Sequence, residues 1–74
     1  MELIRHRTDE GFRVGIVVKT GPVWMHIAYV CEPRLRKVRL TERRYMEELG
    51  EARKKDIKRI NQCARRFGAK RKLV

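Results

Sequence analysis

Cysteine and histidine are the residues of this 74-residue chain best suited to chemistry, and there are two of each: Cys31, Cys63, His6 and His26. A Cys–His nucleophile needs the two side chains in contact. His26 and Cys31 are an odd number of residues apart in a predicted strand, so they should lie on opposite faces. None of the four has the close spacing of structural zinc ligands. We therefore expect no metal and no cofactor, and we interpret both cysteines as free thiols that fill space in the core.

Other catalytic chemistry is poorly represented. The chain contains no serine, which excludes a serine nucleophile, and it has no glycine-rich phosphate-binding loop. The paired acids Glu47–Glu48 and Asp9–Glu10 fall at positions expected to be solvated, where general acid–base roles are disfavoured. We predict that the protein is not an enzyme.

The cations are concentrated at one end of the chain. Residues 53–74 contain ten Lys or Arg and one acid, Asp56, whereas residues 1–52 contain ten basic and eight acidic residues. Each phosphate that a cation neutralises releases a condensed counterion, so a polyanion is the partner that such a segment fits. The sequence predicts nucleic-acid binding, with DNA favoured over RNA. Sequence specificity should be low, because phosphate contacts position a protein without reading bases.

Two basic groups should carry this binding. The C-terminal group is Arg53, Lys54, Lys55, Lys58, Arg59, Arg65, Arg66, Lys70, Arg71 and Lys72. The second group lies around the predicted third turn and last strand and comprises Arg34, Arg36, Lys37 and Arg39, followed by Arg43 and Arg44. Of this second group, Arg36, Lys37 and Arg39 are the predicted contacts. If both lie on one side of the molecule, they form a continuous groove or saddle for a nucleic-acid backbone. Asn61 and Gln62 stand among these cations and could reach base edges.

Trp24 has two interpretations. It is a candidate stacking platform for an unpaired base. The alternative is that Trp24 is the residue against which Met46 and Leu49 of a helix dock, since an uncovered apolar face and an amphipathic helix need each other.

Short strands occupy the first half of the chain. Apolar residues alternate in FRVGIVVK, and Thr20-Gly21-Pro22 separates this run from VWMHIAYVC, which predicts a hairpin. ELIRHR and KVRL are two further strands, and Gly15 suggests a bend or bulge. We expect the register that places Met25, Ile27, Tyr29 and Cys31 beside Phe12, Val14, Ile16 and Val18, because it avoids burying His26. Trp24, Ala28, Val30 and Val17 then form a second apolar face that another element must cover.

Helical spacing begins at Thr41, a good N-cap, and continues to Phe67, before Gly68. We predict a helix over residues 41–67 that bends or breaks near Gly50 and is followed by a frayed basic tail. Arg53 and Asp56 are three residues apart and could pair.

The fold class expected is α+β, with a small antiparallel β-sheet or half-open barrel of about four strands and one long basic C-terminal helix. Residues 1–52 should form the barrel and the start of the helix, and residues 53–74 the basic extension, within a single domain.

The helix also supports an alternative function. A helix over residues 41–67 is about 40 Å long, more than a small barrel can cover. Its distal apolar stripe of Ile57, Ile60, Ala64 and Phe67 would then be an interface, either with a second copy in a homodimer or with an acidic host protein or regulator.

No apolar run approaches the length of a membrane span, and Met1 to Arg7 does not resemble a signal peptide. We expect no membrane partner and a cytoplasmic location, associated with the nucleoid if the protein binds DNA.

The stretch GIVVKTGPVWMHIAYV, with the strands around it, resembles the small barrels of the Src-homology-3-like type, and in particular the central hairpin of KOW-type members. The resemblance covers about residues 2–40 and implies binding to RNA, DNA or the transcription and translation machinery. The whole chain, short, basic and without serine, also resembles small accessory proteins encoded by phages of actinobacteria. That likeness implies a protein that meets host DNA or a host regulator.

Overall fold

A computed structural model describes all 74 residues, 1–74. The elements are β1 (Glu2–Thr8), β2 (Gly11–Thr20), β3 (Trp24–Tyr29), β4 (Arg36–Arg39), a 3-10 helix (Leu40–Tyr45), β5 (Met46–Glu51) and α1 (Lys54–Arg66). The strands form one antiparallel sheet in the order β4-β3-β2-β1-β5, which is not closed into a barrel.

The predicted α+β class, a small antiparallel sheet followed by one C-terminal helix, is confirmed. The predicted extent of the helix is wrong. Residues 41–45 lie in the 3-10 helix and residues 46–51 form a fifth strand, so α1 has only 13 residues. A helix of this length, about 20 Å, does not need a second copy of the chain to cover it.

β5 forms on the free edge of β1, although its own sequence favours a helix. Arg5 of β1 lies opposite Glu47 of β5 and is ion-paired with it. The register shifts between Leu3 and Ile4, where Gly50 has a φ of +100°. Glycine adopts this conformation at little cost. The glycine expected to weaken a helix thus belongs to a β-bulge.

The predicted register of the β2–β3 hairpin is wrong over its core. Ile16 lies opposite Ala28 and Val17 opposite Ile27, with a register shift at Val18. The prediction assumed that each strand alternates without interruption. An extra residue in one strand moves every side chain beyond that residue to the opposite face of the sheet. The bulge at Val18 has this effect.

One face of the sheet holds the first of two cores, made of Ile4, Val17, Met25, Ile27 and Tyr29. Apolar side chains of β4, the 3-10 helix and β5 pack against it. Because β4 and β5 are opposite edges of the sheet, the sheet must curl around this core for both to reach it. Inside, the Tyr29 hydroxyl is 2.8 Å from Nδ1 of His6, and both residues are buried.

The other face holds the second core, and α1 covers it. Ile16 and Ala28 of the hairpin pack with Ile60 of α1, and all three are buried. A second apolar face is covered, as expected, but its predicted membership is only half right. Ala28 and Val30 belong to it, whereas Val17 lies in the first core and Trp24 packs with cations of β4, because the register shift in β2 exchanges the faces.

Leu73 and Val74 pack against the second core, so the chain after α1 is not a frayed tail. α1 and the segment after it thus belong to the folded unit, which fixes where their cations lie.

Candidate nucleic-acid interface

The first turn of α1 contains Asp56, the only acid of the basic segment. The Asp56 carboxylate accepts a hydrogen bond of 3.0 Å from the backbone N–H of Arg53. A carboxylate in the first turn satisfies a donor that the helix leaves unpaired and interacts favourably with the helix dipole. The sequence suggested that the Asp56 carboxylate pairs with the Arg53 guanidinium. In the structure it caps the start of the helix instead.

The two sides of α1 differ completely in chemistry. Ile60, Asn61 and Ala64 are buried against the sheet. At 100° per residue, the six cations of the helix occupy an arc of about 140° on the opposite side. They are Lys54, Lys55, Lys58, Arg59, Arg65 and Arg66, and all six are exposed.

Asn61 fixes the course of the chain after α1. Its side-chain amide donates to the backbone carbonyl of Val74 at 2.8 Å. Its side-chain oxygen accepts from the N–H of Leu73 at 2.9 Å and from that of Val74 at 3.2 Å. Both ends of this buried amide are therefore engaged within the chain. The suggestion that Asn61 reads base edges is wrong, and only the exposed Gln62 keeps a free amide on α1.

The segment that Asn61 holds in place brings cations of both halves of the chain together. A groove of about 630 Å³ lies between the turn at residues 33–35 and residues 67–73. Arg34 lines one side of it, and Lys70, Arg71 and Lys72 line the other, with no acid among the lining residues. The sequence indicated a basic group that includes Arg34 and could form a groove with residues 53–72, but it could not predict which cations meet, because the return of the chain depends on contacts between distant segments.

All the ion pairs that arginine side chains form lie within residues 1–52. Arg5, Arg13, Arg36 and Arg43 each contact a glutamate. The hydrogen bond with Glu10, followed by the charge of Glu32, raises the pKa of Arg13. By contrast, all ten cations of residues 53–72 are exposed, and none lies within 4.0 Å of a carboxylate. The C-terminal surface is therefore positive without internal compensation.

The second predicted group, on β4, is less free than the first. Arg36 is 3.4 Å from Glu32. Nζ of Lys37 is 4.7 Å, and Cζ of Arg39 5.2 Å, from the ring centroid of Trp24. The half-buried Trp24 therefore packs with cations of β4. Neither Met46 nor Leu49 forms the helix expected to dock on Trp24, since both belong to β5.

The four residues predicted to form an interface differ in how far they are buried. Ile60 and Ala64 are each 1% exposed and pack within the chain, and Ile57 packs beside them. Phe67, which follows the last turn of α1, is 61% exposed and lines the basic groove. Three of the four residues are thus part of the fold, and Phe67 alone faces outward.

The cysteines are not placed as predicted. Cys31 is exposed and Cys63 is half-buried, so they do not fill the core. No group of three or more His, Cys, Asp or Glu side chains is arranged to hold a metal ion.

Comparison with known proteins gives no family. No protein-family model, no curated protein and no solved structure matches this chain. The two resemblances drawn from the sequence therefore stay predictions. Among the helices of the structure, none has the length and apolar character needed to cross a membrane.

Proposed function

We propose that the protein binds nucleic acid, preferentially duplex DNA, through phosphate contacts from α1 and the segment after it. Affinity comes from Arg53, Lys54, Lys55, Lys58, Arg59, Arg65, Arg66, Lys70, Arg71 and Lys72. Arg36, Lys37 and Arg39 of β4 add a second set of contacts.

The observation that carries the proposal is the uncompensated charge of residues 53–72. A surface cation that already contacts a glutamate must give up that contact to bind phosphate, whereas an unpaired one gives up only water and counterions. Ten exposed cations without a carboxylate neighbour therefore form the strongest polyanion-binding surface of this chain.

The shape of this surface supports duplex DNA. α1 is about 20 Å long and presents cations along its outer side. The major groove of B-form DNA is about 12 Å wide and admits a helix, whereas the major groove of A-form RNA is too narrow for side chains to read. Base-specific contacts should be few, because Gln62 is the only amide on the exposed side of α1.

The test is binding to a labelled duplex of arbitrary sequence, measured by fluorescence anisotropy at several salt concentrations. If the six cations of α1 each neutralise one phosphate, a plot of log K against log salt has a slope of about −5. Replacing Lys58, Arg65 and Arg66 by glutamate should make this slope shallower by about 3 and weaken binding strongly at low salt.

A matched control replaces three unpaired cations elsewhere, Arg7, Lys19 and Arg44, by glutamate. Each triple variant lowers the net charge by six, from +11 to +5. We expect the control to retain most of the affinity. Equal losses of affinity in the two variants would show that net charge alone, and not the position of the cations, determines binding. Unchanged binding by the α1 variant would show that the helix is not the binding element. Circular dichroism of both variants excludes unfolding as the cause.

The alternative proposal is binding to an acidic protein, supported by the exposed Phe67 beside Lys70, Arg71 and Lys72. Aromatic residues and arginine are enriched at protein interfaces, and Phe67 and Arg71 line the same groove. Weak duplex binding even at low salt would favour this function. A homodimer would have to use Phe67 and other exposed apolar residues, since Ile60 and Ala64 are occupied within the chain.

A further inference from the structure

The two cysteines, 32 residues apart in sequence, meet in the fold. Cys31 lies two residues after the end of β3 and has a φ of +67°, and Cys63 lies in the second half of α1. Their Sγ atoms are 2.8 Å apart, and both are free thiols. Neither the function proposed above nor the packing of the two cores uses this pair.

The surroundings of the pair limit what it can do. A metal site needs further ligands, and no third His, Cys, Asp or Glu side chain joins the two. The hydrogen bond with Cys63, followed by burial, raises the pKa of Cys31, while the charges of Arg59 and Arg66 act in the opposite direction. Cys31 is therefore held as a thiol rather than as a thiolate. Because Cys31 is exposed, a dissolved reagent can reach its sulfur.

We propose that Cys31 and Cys63 are a modification site, a dithiol that a small-molecule disulfide oxidises to an intramolecular disulfide. The two sulfur atoms need to approach by less than about 1 Å to reach the S–S bonding distance. Such a bond would link the turn between β3 and β4 to α1. The packing of α1 on the sheet already holds these two segments next to each other.

The reaction balances as two exchanges. Cys31 loses its proton and its sulfur attacks one sulfur of the small disulfide, whose S–S bond breaks and releases one small thiolate. The sulfur of Cys63, after losing its proton, then attacks the Cys31 sulfur of the mixed disulfide and releases the second. The two thiolates take up the two protons, so two electrons pass from the protein to the small disulfide.

Closure of this bond should be visible in stability. A cross-link between residues 31 and 63 constrains about 33 residues of the unfolded chain. In the chain-entropy treatment, this lowers the unfolding equilibrium constant by about two orders of magnitude or more. Strain in the folded state would reduce this effect. The oxidised protein should therefore have a higher urea midpoint than the reduced protein.

The experiment incubates the reduced, folded chain with glutathione disulfide and follows its intact mass and its free thiols. We expect the mass to fall by that of two hydrogen atoms, the thiol count to fall from two to none, and a thiol reductant to reverse both. Peptide mapping without reduction should join the peptides that contain Cys31 and Cys63. Stable addition of glutathione to both cysteines, a cross-linked dimer, or two thiols that persist would each overturn the proposal.

Two single-cysteine variants complete the test. In Cys63→Ser, Cys31 should retain one glutathione, because no second thiol can displace it, and the urea midpoint should not rise. Cys31→Ser should react more slowly, because the remaining thiol is half-buried. If Cys63→Ser gained as much stability on oxidation as the native chain, the cross-link would not be its cause. This test is independent of nucleic-acid binding.

Discussion

Replacing Asn61 by alanine should release the end of the chain, because this one side chain makes the hydrogen bonds that hold Leu73 and Val74. Asn61 is 8% exposed and contacts the backbone of Leu73 and Val74 through three hydrogen bonds of 2.8 to 3.2 Å. Alanine keeps the helix, since its helix propensity is higher than that of asparagine. The perturbation is thus confined to the tether and to the packing that depends on it.

The expected cost has two parts. Three hydrogen bonds contribute roughly 1 kcal/mol each at most, and less if the freed backbone groups become hydrated. Leu73 and Val74 would also lose part of their contact with the second core, at about 1 kcal/mol each for partly buried side chains. We therefore expect Asn61→Ala to lower the free energy of unfolding by about 2–4 kcal/mol. This is a large share for a chain of this size, whose total stability is roughly 4–11 kcal/mol.

The measurement is urea unfolding followed by circular dichroism, together with hydrogen exchange at the N–H groups of Leu73 and Val74. Gln62→Ala is the matched control, since it removes a neighbouring amide that is exposed, and it should change stability by less than about 0.5 kcal/mol. The two amides should lose protection only in Asn61→Ala. Equal stabilities of the two variants, or protection that survives in Asn61→Ala, would refute the assignment of Asn61 as the tether.

Two further predictions concern the first core. Burial, followed by the charge of Glu32, raises the pKa of Tyr29 from 10 to about 12. The folded state therefore holds this proton more tightly than the unfolded state, so stability should fall as pH rises from about 10 to 12, by at most about 1.4 kcal/mol per pH unit. Tyr29→Phe should not show this loss of stability when its free energy of unfolding in urea is compared between pH 9 and 11. If the native chain and Tyr29→Phe lost the same stability over this range, the prediction would be contradicted. Gly15→Ala should destabilise the protein by about 1–3 kcal/mol, because the added Cβ would lie 2.9 Å from both Cγ2 of Ile27 and Cδ1 of Tyr29. Gly21→Ala, whose Cβ would meet only the Trp24 carbonyl oxygen at 3.4 Å, is its control in the same urea assay, and equal costs would show that the contact is not limiting.

The hairpin and the need for a helical cover could be predicted because both depend on local patterns. Alternation in β2 and β3 leaves apolar side chains on both faces, and an amphipathic segment with Ile60 and Ala64 can cover one of them. The register could not be predicted, since the bulge at Val18 has no sequence signal strong enough to place it. Gly15 suggested a bend, but its role is to leave room for Ile27 and Tyr29.

β5 shows why the sequence predicted a helix where the structure has a strand. YMEELGE consists largely of good helix formers, and local propensity is a weak guide where a strand edge is open for pairing. A signal was present in the charges: Arg5 of β1 can face Glu47, and Gly50 supplies the positive φ of a bulge. Such a match between distant segments becomes visible only when they are compared as strand partners.

For the candidate site too, part could be predicted from the sequence and part could not. The list of cations follows directly from composition, because exposed Lys and Arg need no particular partner to be on the surface. Their arrangement does not follow from it. Arg34 joins Lys70, Arg71 and Lys72 only because Asn61 holds the returning chain, and Cys31 meets Cys63 only because of the observed turn after β3. These juxtapositions depend on tertiary contacts between segments far apart in sequence.

The charges that would bind DNA also oppose the fold that displays them. Ten unpaired cations within residues 53–72 repel one another over distances comparable to the Debye length, about 10 Å at 0.1 M salt. Asn61 and the contacts of Leu73 and Val74 with the second core therefore hold the basic segment in place against this repulsion. Salt acts on the two processes with opposite sign, since screening relieves the repulsion within the chain while it weakens the attraction to phosphates. A bound polyanion would relieve the same repulsion by neutralising the charges, so binding should stabilise the very segment that makes it possible.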